Sequence, residues 1–250
     1  MSEDQAVDRA VSFGAVADVY ERARPTYPQA ALDWLLPAGA RRVLDLGVGT
    51  GKLTRLLADR DLDVVAVEPS EGMRAAFAAG LPGIDVLAGA GERIPLGDAS
   101  MDAVLVAQAW HWVDPGRAAP EVARVLRPGG RLGLLWNLRD ERIAWVRAFD
   151  EILGGGTGES PADSRSQDPV VGPPFAELER HAVAWADEVD PAALVELAAS
   201  RSYVITLDDE RRSALLDRVR RLISEHPDVK GRSRVTLPYL TECFRADLPS

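Results

Sequence analysis

Apolar and polar positions alternate along this chain in two rhythms. Short apolar runs, Val43–Leu46, Asp63–Glu68, Ile84–Leu87, Ala103–Ala107 and Arg131–Trp136, have the length and continuity of strands buried on both faces. Between them lie segments with helical spacing: Ala30–Leu36, Lys52–Asp59 with Leu53, Leu56 and Leu57 on one side, Glu71–Ala79 and Pro115–Leu126. Strand and helix in alternation predict an α/β architecture, a doubly wound and mainly parallel sheet with helices on both faces. After residue 137 the rhythm changes. Helices are expected over 141–153, near Pro191–Ser200 and over Asp208–Glu225. Strands are expected about Ala182–Asp187 and at 234–245, the last antiparallel and interrupted by Pro238. The stretch 154–174, with Gly154-Gly155-Gly156 and Pro173-Pro174, has no periodicity and reads as a flexible loop.

The first strand runs into Asp45-Leu46-Gly47-Val48-Gly49-Thr50-Gly51-Lys52-Leu53. Glycines at alternate positions permit a sharp turn and a close ligand approach, and the helix that follows offers unpaired N–H groups. The turn is therefore a candidate site for a polar or anionic group. Lys52 stands where the dinucleotide fingerprint has its third glycine. Leu46 and Leu53 break the phosphate-loop pattern at its first glycine and its hydroxyl. Glu68 ends the second strand 21 residues past Gly47. A carboxylate near that spacing holds ribose hydroxyls in such folds; the alternative is a solvated strand-end charge. Pro69-Ser70 opens a helix in which Met73 either lies against an adenine face or simply packs. The fourth strand runs into Gln108-Ala109-Trp110-His111-Trp112. Gln108 can donate to a carboxylate and accept from an ammonium. His111 reads either as a general base or as a residue that orients its loop.

The chain has 250 residues, enough for one domain, and a net charge of −10, which disfavours a general nucleic-acid or anionic-membrane surface. Its one cysteine, Cys243, excludes an intrachain disulfide and makes a cysteine metal cluster an unsupported reading. No membrane span and no secretory leader are evident, so a cytoplasmic location is expected, with no metal and no nucleic-acid or membrane partner.

Four stretches in order carry a family resemblance: Tyr20-x-x-x-Arg24-Pro25-x-Tyr27-Pro28, the glycine turn from Asp45, Gly89-Ala90-Gly91-Glu92-Arg93-Ile94-Pro95, and Glu121-Val-x-Arg-Val-Leu-Arg-Pro-Gly-Gly-x-Leu132. Together they resemble class I S-adenosylmethionine-dependent methyltransferases, in particular the bacterial small-molecule branch related to ubiquinone/menaquinone and trans-aconitate methyltransferases. The resemblance covers residues 13–137 well and the remainder loosely. It implies a seven-stranded Rossmann-like sheet, S-adenosyl-L-methionine as cofactor and a small-molecule methyl acceptor. It further implies an N-terminal segment, 1–28, covering the cofactor through Tyr20 and Arg24, and a variable substrate-covering region at 138–232. Gly47, Gly49, Gly51 and Gln108 would hold the methionine end with Asp45 orienting it, Glu68 and Pro69 the ribose side, and Met73, Gly91 and Glu92 the adenine. Ala90 stands where the family often carries an adenine-reading acid, so that role passes to the Gly91 and Glu92 backbone or to the Glu92 side chain. The alternatives are a non-catalytic nucleoside-binding regulator and a protein methyltransferase. A monomer or a homodimer is expected.

Overall fold

The computed structural model describes residues 25–154, 168–175 and 177–249. In chain order the elements are α1 (Gln29–Leu35), β1 (Arg42–Leu46), α2 (Lys52–Ala58), β2 (Asp63–Glu68), α3 (Glu71–Gly80), β3 (Val86–Ala88) and β4 (Met101–Ala107). There follow α4 (Pro115–Val125), β5 (Leu126–Arg139), α5 (Ala144–Gly154), β6 (Glu179–Val189), α6 (Pro191–Ala199), α7 (Ser202–Ile205), α8 (Asp209–Glu225) and β7 (Val235–Asp247).

The strands form one seven-stranded sheet in the order β3-β2-β1-β4-β5-β7-β6. β1 to β5 pair in parallel, and β7 is antiparallel to both β5 and β6. The order reverses between β1 and β4, which places a ligand crevice beyond the carboxyl ends of those two strands. The continuous apolar runs have the burial that their sequence implies: Val43, Leu44, Ala103, Val104 and Leu105 are fully buried.

Helix starts follow local chemistry. Ser70 caps α3 by accepting the Met73 N–H, Asp190 caps α6, and Asp208 caps α8. Asp114 caps α4 with Pro115 in its first turn, where a missing N–H costs nothing.

The structure differs from the sequence expectation chiefly in the second half. β5, β6 and β7 are all longer than their hydrophobic runs. β5 begins at Leu126, so the Arg127-Pro128-Gly129-Gly130 turn lies within it, with Gly129 at φ +73°. Pro238 does not interrupt β7, which pairs with β6 from Val235 to Arg245. The Pro238 carbonyl accepts the Asp140 N–H, on the β5 side. A residue's N–H and C=O point to the same neighbour in a strand, so the missing N–H faces beyond Arg139, the last β5 residue paired with β7. The residues 155–167 of the expected flexible loop lie outside the described residues. The described end of that loop is anchored: Val171 and Phe175 are buried, and Trp110 Nε1 donates to the Val170 carbonyl at 2.9 Å.

Two of the buried clusters flank the parallel half of the sheet. One joins Leu44, Val104 and Leu132 to α4, and the other joins Val43, Leu105 and Leu135 to α1 and α2. A further cluster, built from Trp145, Phe149, Leu197, Val219 and Tyr239, lies among α5, α6, α8 and the start of β7. Among the described residues no helix is long and apolar enough to cross a membrane.

Candidate active site

A cleft opens beyond the carboxyl ends of β1 and β4, lined among others by Pro25, Tyr27, Asp45, Gly47, Gly49 and Gln108. The turn after β1 forms its floor. Gly47, Gly49 and Gly51 all have positive φ, at +75°, +55° and +92°. Their surroundings separate them. A Cβ on Gly47 would stand 2.8 Å from Ala109 Cβ, and one on Gly51 would stand 2.5 Å from Leu81 Cδ1 and 2.9 Å from the Phe77 ring. A Cβ on Gly49 would meet nothing within 4 Å. So Gly47 and Gly51 bring the turn against β4 and α3, and Gly49 alone borders open space.

Asp45, the penultimate residue of β1, is 1% exposed. Its Oδ2 accepts the Thr54 hydroxyl at 2.6 Å, and its Oδ1 is buried with no hydrogen-bond partner. Burial is the main cause that lifts its pKa to about 7; the Thr54 hydrogen bond opposes the rise and the neighbouring Glu68 adds to it. A buried, unpartnered carboxylate oxygen in a ligand cleft is an acceptor waiting for a donor.

Glu68 ends β2 across the turn. Its Oε2 accepts the Gly49 N–H and its Oε1 the Ser70 N–H, both at 3.0 Å. Burial raises its pKa, against the two backbone hydrogen bonds and Arg74. Each oxygen keeps a second lone pair, so the carboxylate can brace the turn and still accept hydroxyl donors.

Gln108 leaves β4 with φ +57°, a left-handed conformation unusual for a residue with a side chain. Its N–H stays tied to the Leu135 carbonyl, and its side-chain amide reaches the Asn137 carbonyl at 3.5 Å. Such strain persists where the surroundings impose it, and here it re-aims the chain at the cleft.

The residues expected at the adenine end are placed less uniformly. Met73 is buried and Pro69 is exposed, its carbonyl accepting from Arg74. A Cβ on Gly91 would come within 2.7 Å of Val113 Cγ1, so that glycine is required by packing. Glu92 Oε1 accepts the Asp114 N–H at 2.7 Å, which ties this side chain to the start of α4. Tyr20 and Arg24 lie outside the described residues.

His111 sits in a single 3-10 turn, Trp110–Trp112, three residues beyond Gln108, and does not line the cleft floor. The residue is exposed, and its ring lies 4.7 Å from that of Trp112, itself 42% exposed. Although the residue keeps solvent contact, packing around the ring lowers its pKa and so favours the neutral imidazole, which can accept a proton.

Three site features escaped sequence reasoning. Thr54 was a legible signal, a polar residue at an apolar position of an amphipathic helix, fully buried between Leu53 and Leu57. Tyr27, a wall of the cleft, stood in the first family stretch without a role of its own, and Asn137, beyond the expected end of β5, gave no local signal.

Comparison with known proteins bears on the family and the fold. A methyltransferase domain family matches residues 44–134. Over 246 residues the chain is 54% identical to an uncharacterized methyltransferase of Mycobacterium tuberculosis, covering 96% of this chain and 97% of the other. It is 42% identical over 105 residues to a demethylmenaquinone methyltransferase of Beutenbergia cavernae, covering 42% of this chain and 44% of that one. Among solved structures, a putative type II methyltransferase from Anaeromyxobacter dehalogenans superposes with a TM-score of 0.67 at 24% identity, over 91% of this chain and 99% of its own, a likeness of fold.

Proposed function

Because the chain belongs to the class I S-adenosylmethionine-dependent methyltransferases, we propose that it methylates a small-molecule acceptor, and that the cleft beyond β1 and β4 holds the donor. The observation that carries the assignment of the cleft is Asp45, whose buried Oδ1 has no partner while the residue lines the opening. An amino-acid ammonium group is the donor such an oxygen would take.

On this reading Asp45, Gly47 and Gln108 hold the methionine end, Glu68 takes the ribose hydroxyls, and Met73 with the Gly91–Glu92 backbone flanks the adenine. Tyr20 and Arg24 would cover the carboxylate. Gly49 matters because its missing side chain leaves the space that the ligand enters. When bound, S-adenosyl-L-methionine supplies a methyl group made electrophilic by its sulfonium. The chain then has to align an acceptor lone pair with that methyl group and exclude water, which is catalysis by orientation. His111, neutral and three residues past Gln108, would remove the acceptor's proton as the bond forms. The exposed Trp112 ring beside it offers an apolar face to an acceptor.

A small acceptor is favoured by two features. The net charge of −10 is wrong for nucleic acid. A second cavity, of about 410 Å³, opens at the carboxyl end of β5 on the same edge of the sheet. Leu138, Leu240, three arginines and the acids Asp140 and Glu141 line it, with Arg139 paired to Asp150 and Arg142 to Asp140, and its size suits a compact molecule. The demethylmenaquinone relative is named for a compound of small-molecule size. The test is incubation with S-adenosyl-L-methionine and panels of hydroxylated, carboxylated and quinol-type compounds. Mass spectrometry of products should show a gain of one methyl group in a small compound with matching S-adenosylhomocysteine. Methyl transfer only to added protein would overturn the acceptor class, and failure to bind S-adenosylhomocysteine would overturn the cleft.

A further inference from the structure

Trp185 on β6, Thr241 on β7, Asn137 on β5 and Thr26 ahead of α1 are joined in a line of side-chain hydrogen bonds that crosses three strands and ends in the cleft wall. Trp185 Nε1 donates to Thr241 Oγ1 at 2.7 Å, Thr241 Oγ1 donates to Asn137 Oδ1 at 2.6 Å, and Asn137 Nδ2 donates to the Thr26 carbonyl at 2.7 Å. Thr26 lies between Pro25 and Tyr27, both of which line the cleft.

The direction of this line is fixed by chemistry at both ends. An indole N–H can only donate, so the Thr241 hydroxyl must accept from it and has its own proton to give onward. A backbone carbonyl can only accept, so Asn137 must turn its NH2 group to Thr26 and its oxygen to Thr241. Asn137 thus has one amide orientation that satisfies both neighbours, where an isolated asparagine would have two. Thr241 is fully buried, so no solvent competes at the middle of the line. The Asn137 backbone contributes separately, through its carbonyl, to the contact with the Gln108 side chain.

We infer that Asn137 is a positioning residue for the donor site, oriented from Trp185 through Thr241, and that it holds the Pro25–Tyr27 wall at the distance the donor requires. This rests on the assignment of the cleft as the donor site and goes beyond it by giving a role to residues on β5, β6 and β7 that do not line it. A purely structural role would make these side chains matter to stability alone. A positioning role makes ligand affinity depend on their polarity.

The experiment is calorimetric titration with S-adenosylhomocysteine, with folding checked by circular dichroism and thermal melting. Asn137→Asp keeps an acceptor for Thr241 and places a second acceptor against the Thr26 carbonyl; affinity should fall about tenfold or more. Thr241→Val should lose about fivefold, and Thr241→Ser, which keeps the hydroxyl, should recover it. Trp185→Phe, remote from the cleft, should lose about twofold and shift the Asn137 side-chain amide resonance in an NMR spectrum. Folded Asn137→Asp and Thr241→Val proteins with unchanged affinity would overturn the inference, as would an Asn137 amide resonance unmoved by Trp185→Phe. Absence of binding by the unmutated protein would instead overturn the donor-site assignment itself. The NMR arm reads the line of hydrogen bonds without ligand and separates the two failures.

Discussion

Glu68 Oε2, at the end of β2, accepts the N–H of Gly49, the one glycine of the turn that borders open space. The acid therefore shapes the turn as well as facing the ligand. Glu68→Ala should weaken S-adenosylhomocysteine binding by about a hundredfold. It should also cost on the order of 1–3 kcal/mol of stability, because the Gly49 and Ser70 N–H groups lose their partner. Calorimetry and thermal melting of the same sample separate the two effects. A fully stable variant with lost binding would confine Glu68 to the ligand.

Asp45 makes the cleft sensitive to pH. Its folded pKa of about 7 lies above the ordinary aspartate value of 3.8, so the folded state holds a proton that the unfolded chain releases. Its contribution to stability is complete below pH 3.8 and is lost as pH rises toward 7, with an upper bound of roughly 4 kcal/mol. Asp45→Asn should accordingly melt higher than the parent at pH 8, with the gap narrowing as pH falls and closing only near pH 4. Ligand affinity should run the other way. An ammonium favours the ionised acid, so S-adenosylhomocysteine should bind the parent protein up to tenfold more weakly per pH unit below 7. A flat affinity between pH 5.5 and 8 would remove Asp45 from contact with the ligand's amino group.

His111→Ala distinguishes base from scaffold. As a base, its loss should lower turnover by about 10²- to 10⁴-fold and leave S-adenosylhomocysteine affinity within twofold. Because desolvation lowers its pKa, the rate of the parent should fall toward acid pH rather than toward alkaline pH. Normal turnover by the variant would leave His111 orienting its loop.

The glycines of the turn should sort into two classes. Gly51→Ala forces a methyl group into Leu81 and Phe77 at a φ of +92° and should cost at least about 2 kcal/mol of stability. Gly49→Ala has room for its methyl group and should cost about 1 kcal/mol, from backbone conformation alone. The same methyl group would occupy ligand space, so ligand affinity should fall at least tenfold. Equal effects of the two on melting and binding would contradict the division.

The parallel half of the sheet was readable because burial on both faces leaves unbroken apolar runs, and β2 was bounded to the residue. The glycine turn, Glu68 and Gln108 were readable because each stands at the end of such a run. The far half was read shorter than it is, since β6 alternates half-buried and exposed residues and β7 contains Pro238, whose tolerance depends on where β5 stops. The pairing of Thr54 with Asp45 and the line from Trp185 to Thr26 depend on contacts between elements far apart in sequence, which local patterns do not carry. Glu92 was read as a possible adenine contact, and only the fold reveals the Asp114 N–H beside it.

The cluster around Trp145, Phe149 and Tyr239 shares no residue with the clusters flanking the glycine turn. It is pinned instead by the buried ion pair of Arg139 with Asp150, Arg139 Nε donating to Asp150 Oδ1 at 2.6 Å. Clusters that share no side chain should differ in amide-exchange protection, although β7 contributes to both. Removing Asp150 would leave the Arg139 charge buried and should loosen its cluster by about 3–5 kcal/mol, while slow exchange persists in β1 and β4. With exchange in β1 and β4 unmoved, mutations that alter the volume or charge of this cluster should leave the glycine turn folded.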